Sequence, residues 1–212
     1  MFFSCNRHVS CRQHVEAFEK LWLGQCLWSF GTGRSAGVAL LFSPNFSGKI
    51  SRYVFDTDGR ILSVLVHHNN DSIDLVNVYA PNTISHHKIF FEGLHDHFLS
   101  CGDLIVGGDF NCVGSSIDKF RSDDINAMDK KSLCSLKSDF SLIDVWRKCH
   151  PHVVSFTWAN TSKTKASRLD HFLISRSLSD QVASCNISPC VFSDHDFVDL
   201  NLPLDNAPCR RS

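Results

Sequence analysis

Leu104-Ile-Val-Gly-Gly-Asp-Phe-Asn111 is an apolar run with strand character that ends on polar groups, and Phe192-Ser-Asp-His-Asp196 is a second segment of this kind. Side chains two residues apart on a strand share a face, so we expect Asp109 and Asn111 to point to the same side. The pair Asp194-His195 sets a carboxylate beside an imidazole. If the fold brings these two strand ends together, the combined set suits hydrolysis of a phosphodiester.

The composition fits one domain with an aromatic-rich core and almost no net charge. Hydrophobic residues make up 43% of the 212 residues, 17 residues are Phe, and the formal net charge is −1. Binding to a polyanion would therefore depend on a local patch. The candidates are Lys163, Lys165 and Arg168, and the pair Arg210-Arg211. An ordinary solvated surface is the alternative interpretation of both groups.

The ten cysteines do not follow the pattern of a disulfide-stabilised or zinc-binding protein. They are scattered, and the sequence has no Cys-x-x-Cys pair. Reduced thiols in a reducing compartment fit this distribution. No apolar run is long enough to cross a membrane. We therefore expect a nuclear or cytoplasmic protein that is not secreted.

Strand-like segments dominate the predicted secondary structure, with a few helices inserted. Strands are predicted at 26–30, 37–42, 51–55, 61–66, 74–79, 103–108, 142–145, 156–158, 167–174, 182–187 and 197–202, and helices at 15–22, at 85–99 and from 129 or 132 to 137. This order is not a regular βαβ alternation, so it favours an α+β fold of two packed, mainly antiparallel sheets with helices outside. A doubly wound parallel sheet is the alternative.

The two segments that end on polar groups supply the main candidates for catalysis. Asp109 can position or deprotonate a water, and Asn111 can hydrogen-bond a phosphate or orient that carboxylate. His195 can contact a phosphate oxygen, whereas Asp194 is a hard oxygen ligand suited to a divalent cation. Ser193 can donate a further hydrogen bond. Ordinary turn and capping chemistry is the alternative for these residues.

Further candidates lie on neighbouring strands. Asp170 needs a partner if it is buried, and we expect a histidine that this carboxylate orients; pairing with Arg168 is the alternative. His171 alternates to the opposite face and is expected at the surface. Tyr79, at a strand end, can donate to phosphate or simply pack in the core. Two weaker candidates for substrate binding are Asn77 and Thr157.

Seven short segments occur in the order in which one known family has them. They are 35–42, 77–81, 107–111, 142–147, 155–158, 167–170 and 193–195. The set resembles the endonuclease/exonuclease/phosphatase superfamily, and within it the endonuclease domain of LINE-type non-LTR retrotransposons. The resemblance implies a DNase I-like four-layer α/β/β/α sandwich and Mg²⁺- or Mn²⁺-dependent cleavage of DNA. In such elements the enzyme nicks the target DNA, and the nick primes reverse transcription.

The resemblance also implies a role for each matching residue. Asp109 and Asn111 would activate water and orient the phosphate. His195 would contact phosphate and be held by Asp170, and Asp194 would lie near the metal. Supporting phosphate or network contacts would come from Tyr79, Thr157 and Ser193.

The start of the chain departs from the family pattern. The family has a first strand with a site Asn and then a second strand that ends in a Gln-Glu-Thr-His-like motif, whose Glu holds the metal. The apparent counterpart is Cys5-Asn6-Arg7-His8, with Asn6 in the place of that Glu. We therefore expect a domain at 1–203 that lacks its first strand, with weak metal binding and impaired nicking, and a disordered tail at 204–212.

Two other functions stay open, and the sequence leaves open whether the chain is an active enzyme. One is a catalytically dead fragment or binding module derived from a retroelement, and the other is a phosphomonoesterase of the same superfamily. The expected partners are DNA and, in the parent element, a reverse transcriptase domain of the same polyprotein. No membrane association is expected, and the expected state is a monomer.

Overall fold

The structure is a computed structural model, and it describes residues 2–6, 12–31, 37–69, 71–120, 127–191 and 193–203. The chain divides into two compact units, of which the first ends at Asn111 and the second begins at Cys112. The predicted tail at 204–212 and parts of the predicted motifs, at 7–8, 35–36 and 192, lie outside the described residues. Within the described ranges, no helix is both long and apolar enough to cross a membrane.

The first unit contains two sheets. Its described elements are β1 (Phe2–Asn6), α1 (Arg12–Glu19), β2 (Cys26–Phe30), β3 (Gly37–Phe42), β4 (Lys49–Phe55), β5 (Ile61–His68), β6 (Asp71–Tyr79), α2 (Ile84–Gly93) and β7 (Asp103–Asp109). One sheet is antiparallel, in the order β1-β3-β2. In the other, β4, β5, β6 and β7 follow in order, and β6 and β7 are parallel whereas β4–β5 and β5–β6 are antiparallel.

The two sheets of the first unit pack face to face. β3 contacts β5 and β6, and β1 contacts β6 and β7. The strands of this unit have apolar, buried interiors, and the side chains of Val38, Leu40, Leu62 and Val78 have no exposed surface. Because β6 and β7 run parallel, they end side by side, and Tyr79 is the register partner of Asp109. The sheet thereby brings two of the predicted site residues to one edge.

Helix α2 is shorter than the sequence predicts. It ends at Gly93, and a 3₁₀ turn at Leu94–His97 follows, where a continuous helix to Leu99 was expected. The Asp74 carboxylate accepts the backbone N–H of Leu99 at 2.6 Å and that of Ser100 at 2.9 Å. These bonds hold the segment in a non-helical conformation, a long-range contact that helical periodicity does not encode.

The second unit is built from strand pairs and helices. Its described elements are α3 (Ala127–Asp139), β8 (Leu142–Asp144), α4 (Val145–Cys149), β9 (Trp158–Ala159), β10 (Ala166–Ser167), β11 (Asp170–Ser175), β12 (Ser184–Ser188) and β13 (Phe197–Asn201). The pairs β8–β11, β9–β10 and β12–β13 are antiparallel. Trp158 also forms an isolated antiparallel bridge with His195, which brings the second polar segment beside β9.

Several sequence predictions can be compared directly with these elements. The strands predicted at 26–30 and 37–42 have the observed bounds. The strand predicted at 167–174 is divided into β10 and β11. The described cysteine side chains are thiols rather than disulfides, as predicted.

Candidate active site

The first group of candidate residues lies where β6 and β7 end. Asp109 is the last residue of β7 and only 1% exposed, and its Oδ1 accepts the backbone N–H of Asn111 at 2.9 Å. Asn111 has a φ of +48°, so it lies in a turn beyond the strand. The expectation that strand alternation aligns these two side chains is therefore wrong. A turn closed by the Asp109 carboxylate joins them instead.

Gly108 allows β7 to approach β6 closely at this point. Its φ is +133°, and a Cβ atom added there would stand 2.1 Å from the carbonyl oxygen of Val78. Only glycine adopts this conformation without strain and leaves room for that carbonyl. The glycine in the motif thus fixes the backbone that carries Asp109.

Two asparagine side chains meet beside Asp109. Nδ2 of Asn111 donates to the carbonyl oxygen of Ala80 at 2.8 Å and to Oδ1 of Asn82 at 3.2 Å. The Tyr79 hydroxyl also donates to Oδ1 of Asn82, at 3.4 Å. Because Oδ1 of the exposed Asn82 accepts both bonds, its Nδ2 hydrogens are the donors that a ligand would meet. We call these two residues the Asn82–Asn111 amide pair.

Asn82 is a candidate that the sequence reading missed. It directly follows Pro81, and a proline that ends a strand is a recognisable signal. A polar residue immediately after such a proline lies at the strand-end edge where Asp109 and Tyr79 also lie. This position could have been selected on that ground.

Tyr79 and Asn77 occupy different environments on β6. Tyr79 is 5% exposed, its carbonyl oxygen accepts a bond from Nη1 of Arg60 at 3.1 Å, and that guanidinium lies 5.3 Å from the centre of its ring. Asn77 is 1% exposed, and its Nδ2 donates to the carbonyl oxygen of Ala39 at 2.9 Å. The Asn77 amide therefore links β6 to β3 between the two sheets, whereas the Tyr79 hydroxyl reaches the amide pair.

The second group centres on a carboxylate–histidine pair. Nδ1 of His195 lies 2.7 Å from Oδ2 of Asp170, and the two side chains are 12% and 18% exposed. A carboxylate can only accept here, so Nδ1 carries the proton. The bond orients the imidazole and stabilises positive charge that develops on it. The sequence left both a histidine and Arg168 open as partners of Asp170, and the structure selects the histidine.

Thr157 supports this pair from below the surface. It is 1% exposed, and its Oγ1 accepts the backbone N–H of Leu169 at 2.9 Å and that of Asp170 at 3.1 Å. Its carbonyl oxygen accepts the N–H of Asp196 at 2.7 Å. One buried threonine therefore holds the backbone next to both members of the pair. These contacts favour a positioning role over the substrate contact that the sequence suggested.

Ser193 and Asp194 lie in the exposed turn before His195. The Ser193 hydroxyl accepts the backbone N–H of His195 at 3.0 Å. Oδ2 of Asp194 accepts a bond from Nε1 of Trp158 at 3.3 Å. The serine thus stabilises the turn, and the Asp194 carboxylate is held at its surface by an indole.

Arg168 belongs to a buried ion cluster and not to a basic patch. It is 1% exposed, and it donates to both carboxylate oxygens of Asp118, at 2.8 and 3.1 Å, and of Asp144, at 3.2 and 2.6 Å. Arg147 also donates to Asp118, and both guanidinium groups lie over the Trp146 ring, 4.9 and 5.2 Å from its centre. The proposals that Arg168 binds a polyanion or pairs with Asp170 are therefore wrong.

His171 is part of the same cluster. It is 1% exposed, and its Nδ1 lies 2.9 Å from Nη1 of Arg168 and 3.3 Å from Oδ2 of Asp144. The expectation that His171 lies at the surface is wrong, because the face of β11 opposite Asp170 packs inward. Burial alone would raise the pKa of the Asp144 carboxyl, but hydrogen bonds and charges from His171 and Arg168 lower it well below its usual range.

The other two residues of the suggested basic patch are exposed. Lys163 and Lys165 lie in the loop between β9 and β10. Asn160 orders this loop: its Nδ2 donates to the hydroxyls of Ser162 and Thr164 at 2.9 Å each, and its Oδ1 accepts the N–H of Lys165 at 2.9 Å. Two ammonium groups are therefore presented on an ordered hairpin tip.

The available oxygen donors suit a divalent cation in part. Carboxylates are the preferred ligands of Mg²⁺ and Mn²⁺, and the first unit offers the buried carboxylate of Asp109. Asn6 is the last residue of β1 and the register partner of Val38. A neutral amide at that position adds no negative charge. A carboxylate and a neutral amide are a weaker donor set for a divalent cation than two carboxylates are.

Residues 5–195 match the model of the Endonuclease/Exonuclease/phosphatase family. The chain belongs to this family. The match runs through Asp109, Asn111, Asp170 and His195, and it confirms the resemblance on which the sequence-based roles rest. Dependence on a divalent metal is general in the family.

A curated relative is the transposon TX1 uncharacterized 149 kDa protein of Xenopus laevis. It is 32% identical over 193 residues, which cover 86% of this chain and 14% of that protein. The family member described here therefore spans about 14% of the length of its curated relative. The relative is a transposon protein, in keeping with the predicted resemblance to retroelement endonucleases.

Solved structures share the fold. An AP endonuclease from Archaeoglobus fulgidus is 18% identical with a TM-score of 0.78, covering 95% of this chain and 88% of that one. A 3′ phosphatase from Neisseria bound to a product DNA hairpin is 17% identical with a TM-score of 0.75, again covering 95% and 88%. These likenesses confirm the α+β, DNase I-like α/β/β/α sandwich predicted from the sequence.

Proposed function

We propose that this chain is a divalent-metal-dependent phosphodiesterase that nicks DNA, as in target-primed integration of a retrotransposon. The observation that carries the proposal is the 2.7 Å contact between Nδ1 of His195 and Oδ2 of Asp170. A carboxylate that orients an imidazole is the arrangement that hydrolytic enzymes use to stabilise charge developing on an oxygen.

The proposed chemistry assigns a task to each group. Asp109 accepts the proton of the attacking water, and Nδ2 of Asn82, whose Oδ1 accepts a bond from Asn111, donates hydrogen bonds to phosphate oxygens. His195, whose Nδ1 is held by Asp170, acts as an imidazolium, donates from Nε2 to a further phosphate oxygen and stabilises the negative charge of the pentacovalent species. These assignments are supported by a family match that runs through all of these residues.

A bound Mg²⁺ or Mn²⁺ would neutralise charge on the phosphate and on the departing oxygen. Asp194 is the residue that we propose as its carboxylate ligand, and we propose that Asn6 takes the place of the family's Glu. A neutral oxygen donor at that position predicts weak metal binding, so a higher Mg²⁺ concentration should be needed for activity. Nicking is expected to be impaired for this reason.

The relative supports a proposal for the biological setting. We propose that the domain acts on DNA within a longer retroelement protein that also carries reverse transcriptase. The relative is a 149 kDa transposon protein, most of which lies outside the matched region. Exposed Lys163 and Lys165 are the proposed contacts to the DNA backbone. The reduced thiols are compatible with a nuclear or cytoplasmic location.

The decisive experiment is nicking of supercoiled plasmid with and without Mg²⁺, using His195→Ala. We expect Mg²⁺-dependent conversion to the open circle, lost in His195→Ala with an unchanged circular-dichroism melt. His95→Ala, which removes an exposed histidine elsewhere, is the matched control. Equal nicking by wild type and His195→Ala would overturn the proposal.

A second candidate is a folded, catalytically inactive binding module. Asn6 at the place of a metal-binding Glu favours it. This candidate predicts that the folded wild-type chain binds DNA but does not nick plasmid at any Mg²⁺ concentration. The phosphomonoesterase alternative, which a 3′ phosphatase among the structural relatives keeps open, predicts release of phosphate from a 3′-phosphorylated oligonucleotide without plasmid nicking.

A further inference from the structure

Helix α2 presents a buried histidine to the loop that follows β6. His87 is 1% exposed, and its Nε2 lies 2.6 Å from the carbonyl oxygen of Pro81. A carbonyl oxygen only accepts, so Nε2 carries the proton and donates it to this bond. The neighbouring His86, on the same helix, is exposed. The two adjacent histidines therefore have opposite environments.

The Pro81 carbonyl, which accepts the bond from His87, belongs to the short segment to which the Asn111 side chain is bonded. Pro81 stands between Ala80, whose carbonyl oxygen accepts Nδ2 of Asn111 at 2.8 Å, and Asn82, whose Oδ1 accepts the same group at 3.2 Å. A shift of the Pro81 carbonyl displaces both neighbours. The orientation of Asn111 and the position of Asn82 thus depend on one buried hydrogen bond.

The same helix supports the other side of the turn. Phe91 lies one helical turn beyond His87, with 5.9 Å between the two ring centres. Phe91 also stacks on Phe110, at 5.9 Å between centres, and Phe110 is completely buried. Phe110 is the residue between Asp109 and Asn111. A continuous contact from His87 through Phe91 therefore joins the 80–82 loop to the 109–111 turn.

We propose that His87 is a positioning residue, which holds the Asn82–Asn111 amide pair in the geometry that receives a phosphate. That the ligand is a phosphate rests on the proposed function, whereas the positioning of the amide pair by His87 does not. Leucine can fill the volume of the imidazole and cannot donate, so it leaves the Pro81 carbonyl without its donor. Small displacements of groups that orient a substrate lower the reaction rate strongly even when the fold is intact.

The test uses four variants of the full chain. His87→Leu removes the donor, and His87→Asn carries an amide that is too short to reach the Pro81 oxygen. His87→Gln places an amide nitrogen close to the position of Nε2 and serves as the conservative rescue. His86→Leu makes the same change at the exposed neighbour and is the matched control.

The first readout is the side-chain amide resonance of Asn111 in ¹⁵N-labelled protein. We expect its chemical shift to move and its exchange with water to accelerate in His87→Leu and His87→Asn, and to stay near wild type in His87→Gln and His86→Leu. A purely structural role would lower the melting temperature of the first two variants without this selective effect. An Asn111 signal unchanged in His87→Leu overturns the inference, whether or not the protein nicks DNA.

The second readout is plasmid nicking. We expect kcat to fall about tenfold in His87→Leu and His87→Asn, within the range that misplaced groups cause, and to recover in His87→Gln. Full nicking in His87→Leu would overturn the inference even if the melt changed. Absence of nicking in wild type would refute the proposed function, and the Asn111 resonance would still decide the positioning.

Discussion

The substitution Asp170→Asn tests the charge of the carboxylate–histidine pair with little change of shape. Asparagine retains an oxygen that can accept the Nδ1 proton of His195, but it carries no negative charge. Thr157 holds the backbone N–H of Asp170 rather than its carboxylate, so this support survives the change. We therefore expect a folded protein whose imidazole has lost its stabilising charge.

The expected loss follows from the environment of the pair. The two side chains are only 12% and 18% exposed, so water screens their interaction little. A hydrogen bond to a charged group contributes about 1.5–3 kcal/mol. About 1.4 kcal/mol corresponds to a tenfold change in rate, so the expected fall in kcat is roughly 10- to 150-fold.

The assay is the initial rate of nicking of supercoiled plasmid at saturating Mg²⁺, measured across neutral pH. Asp199→Asn is the control, because it makes the same change in an exposed carboxylate that accepts a bond from Asn186. A downfield proton resonance from Nδ1 of His195, present in wild type and shifted in Asp170→Asn, reports the pair independently of activity. A rate within about twofold of wild type with an unchanged pH profile would refute the reasoning.

Three further predictions concern the metal, the ion cluster and the strand end. Asn6→Glu should lower the Mg²⁺ concentration needed for half-maximal nicking, which a metal titration with Asn6→Gln as control would measure. Arg168→Met should destabilise the chain by about 3–5 kcal/mol in urea unfolding, because it leaves the Asp118 and Asp144 carboxylates buried without their partner. Since the folded pKa of Asp144 is lowered, its contribution to stability is present at neutral pH and is lost as pH falls below about 4, so the acid transition of wild type should be steeper than that of Arg168→Met. Gly108→Ala should lower the melting temperature sharply, and a wild-type melt would contradict the close approach of β7 to β6.

Local sequence signals predicted the strand ends well, because the chemistry there is encoded within a few residues. The apolar run before Asp109 and the proline after Tyr79 define where β7 and β6 end. The carboxylate–histidine pair was also predicted, since a carboxylate inside a strand needs a partner. These features depend on neighbours in sequence and on general rules of burial.

The sequence could not reveal which partner each buried charge takes. Arg168 meets Asp118 and Asp144, which lie 50 and 24 residues away in the chain. No spacing rule connects such positions. The burial of His171 was missed for the same reason: alternation places it opposite Asp170, but it does not say that this face of β11 is covered.

In the proposed function, Asn6 affects metal binding, whereas other residues orient the phosphate. The groups that we propose to orient a phosphate are held by contacts within residues 79–111 in the first unit and within residues 157–196 in the second. The Glu that we propose as the family's counterpart of Asn6 would instead contribute to metal binding. A change at that position should therefore alter the metal requirement and leave the amide pair and the His195–Asp170 contact as they are. We therefore expect some substitutions to weaken binding of a DNA phosphate and others to slow its cleavage. A catalytically inactive domain of the same fold would show no effect on cleavage.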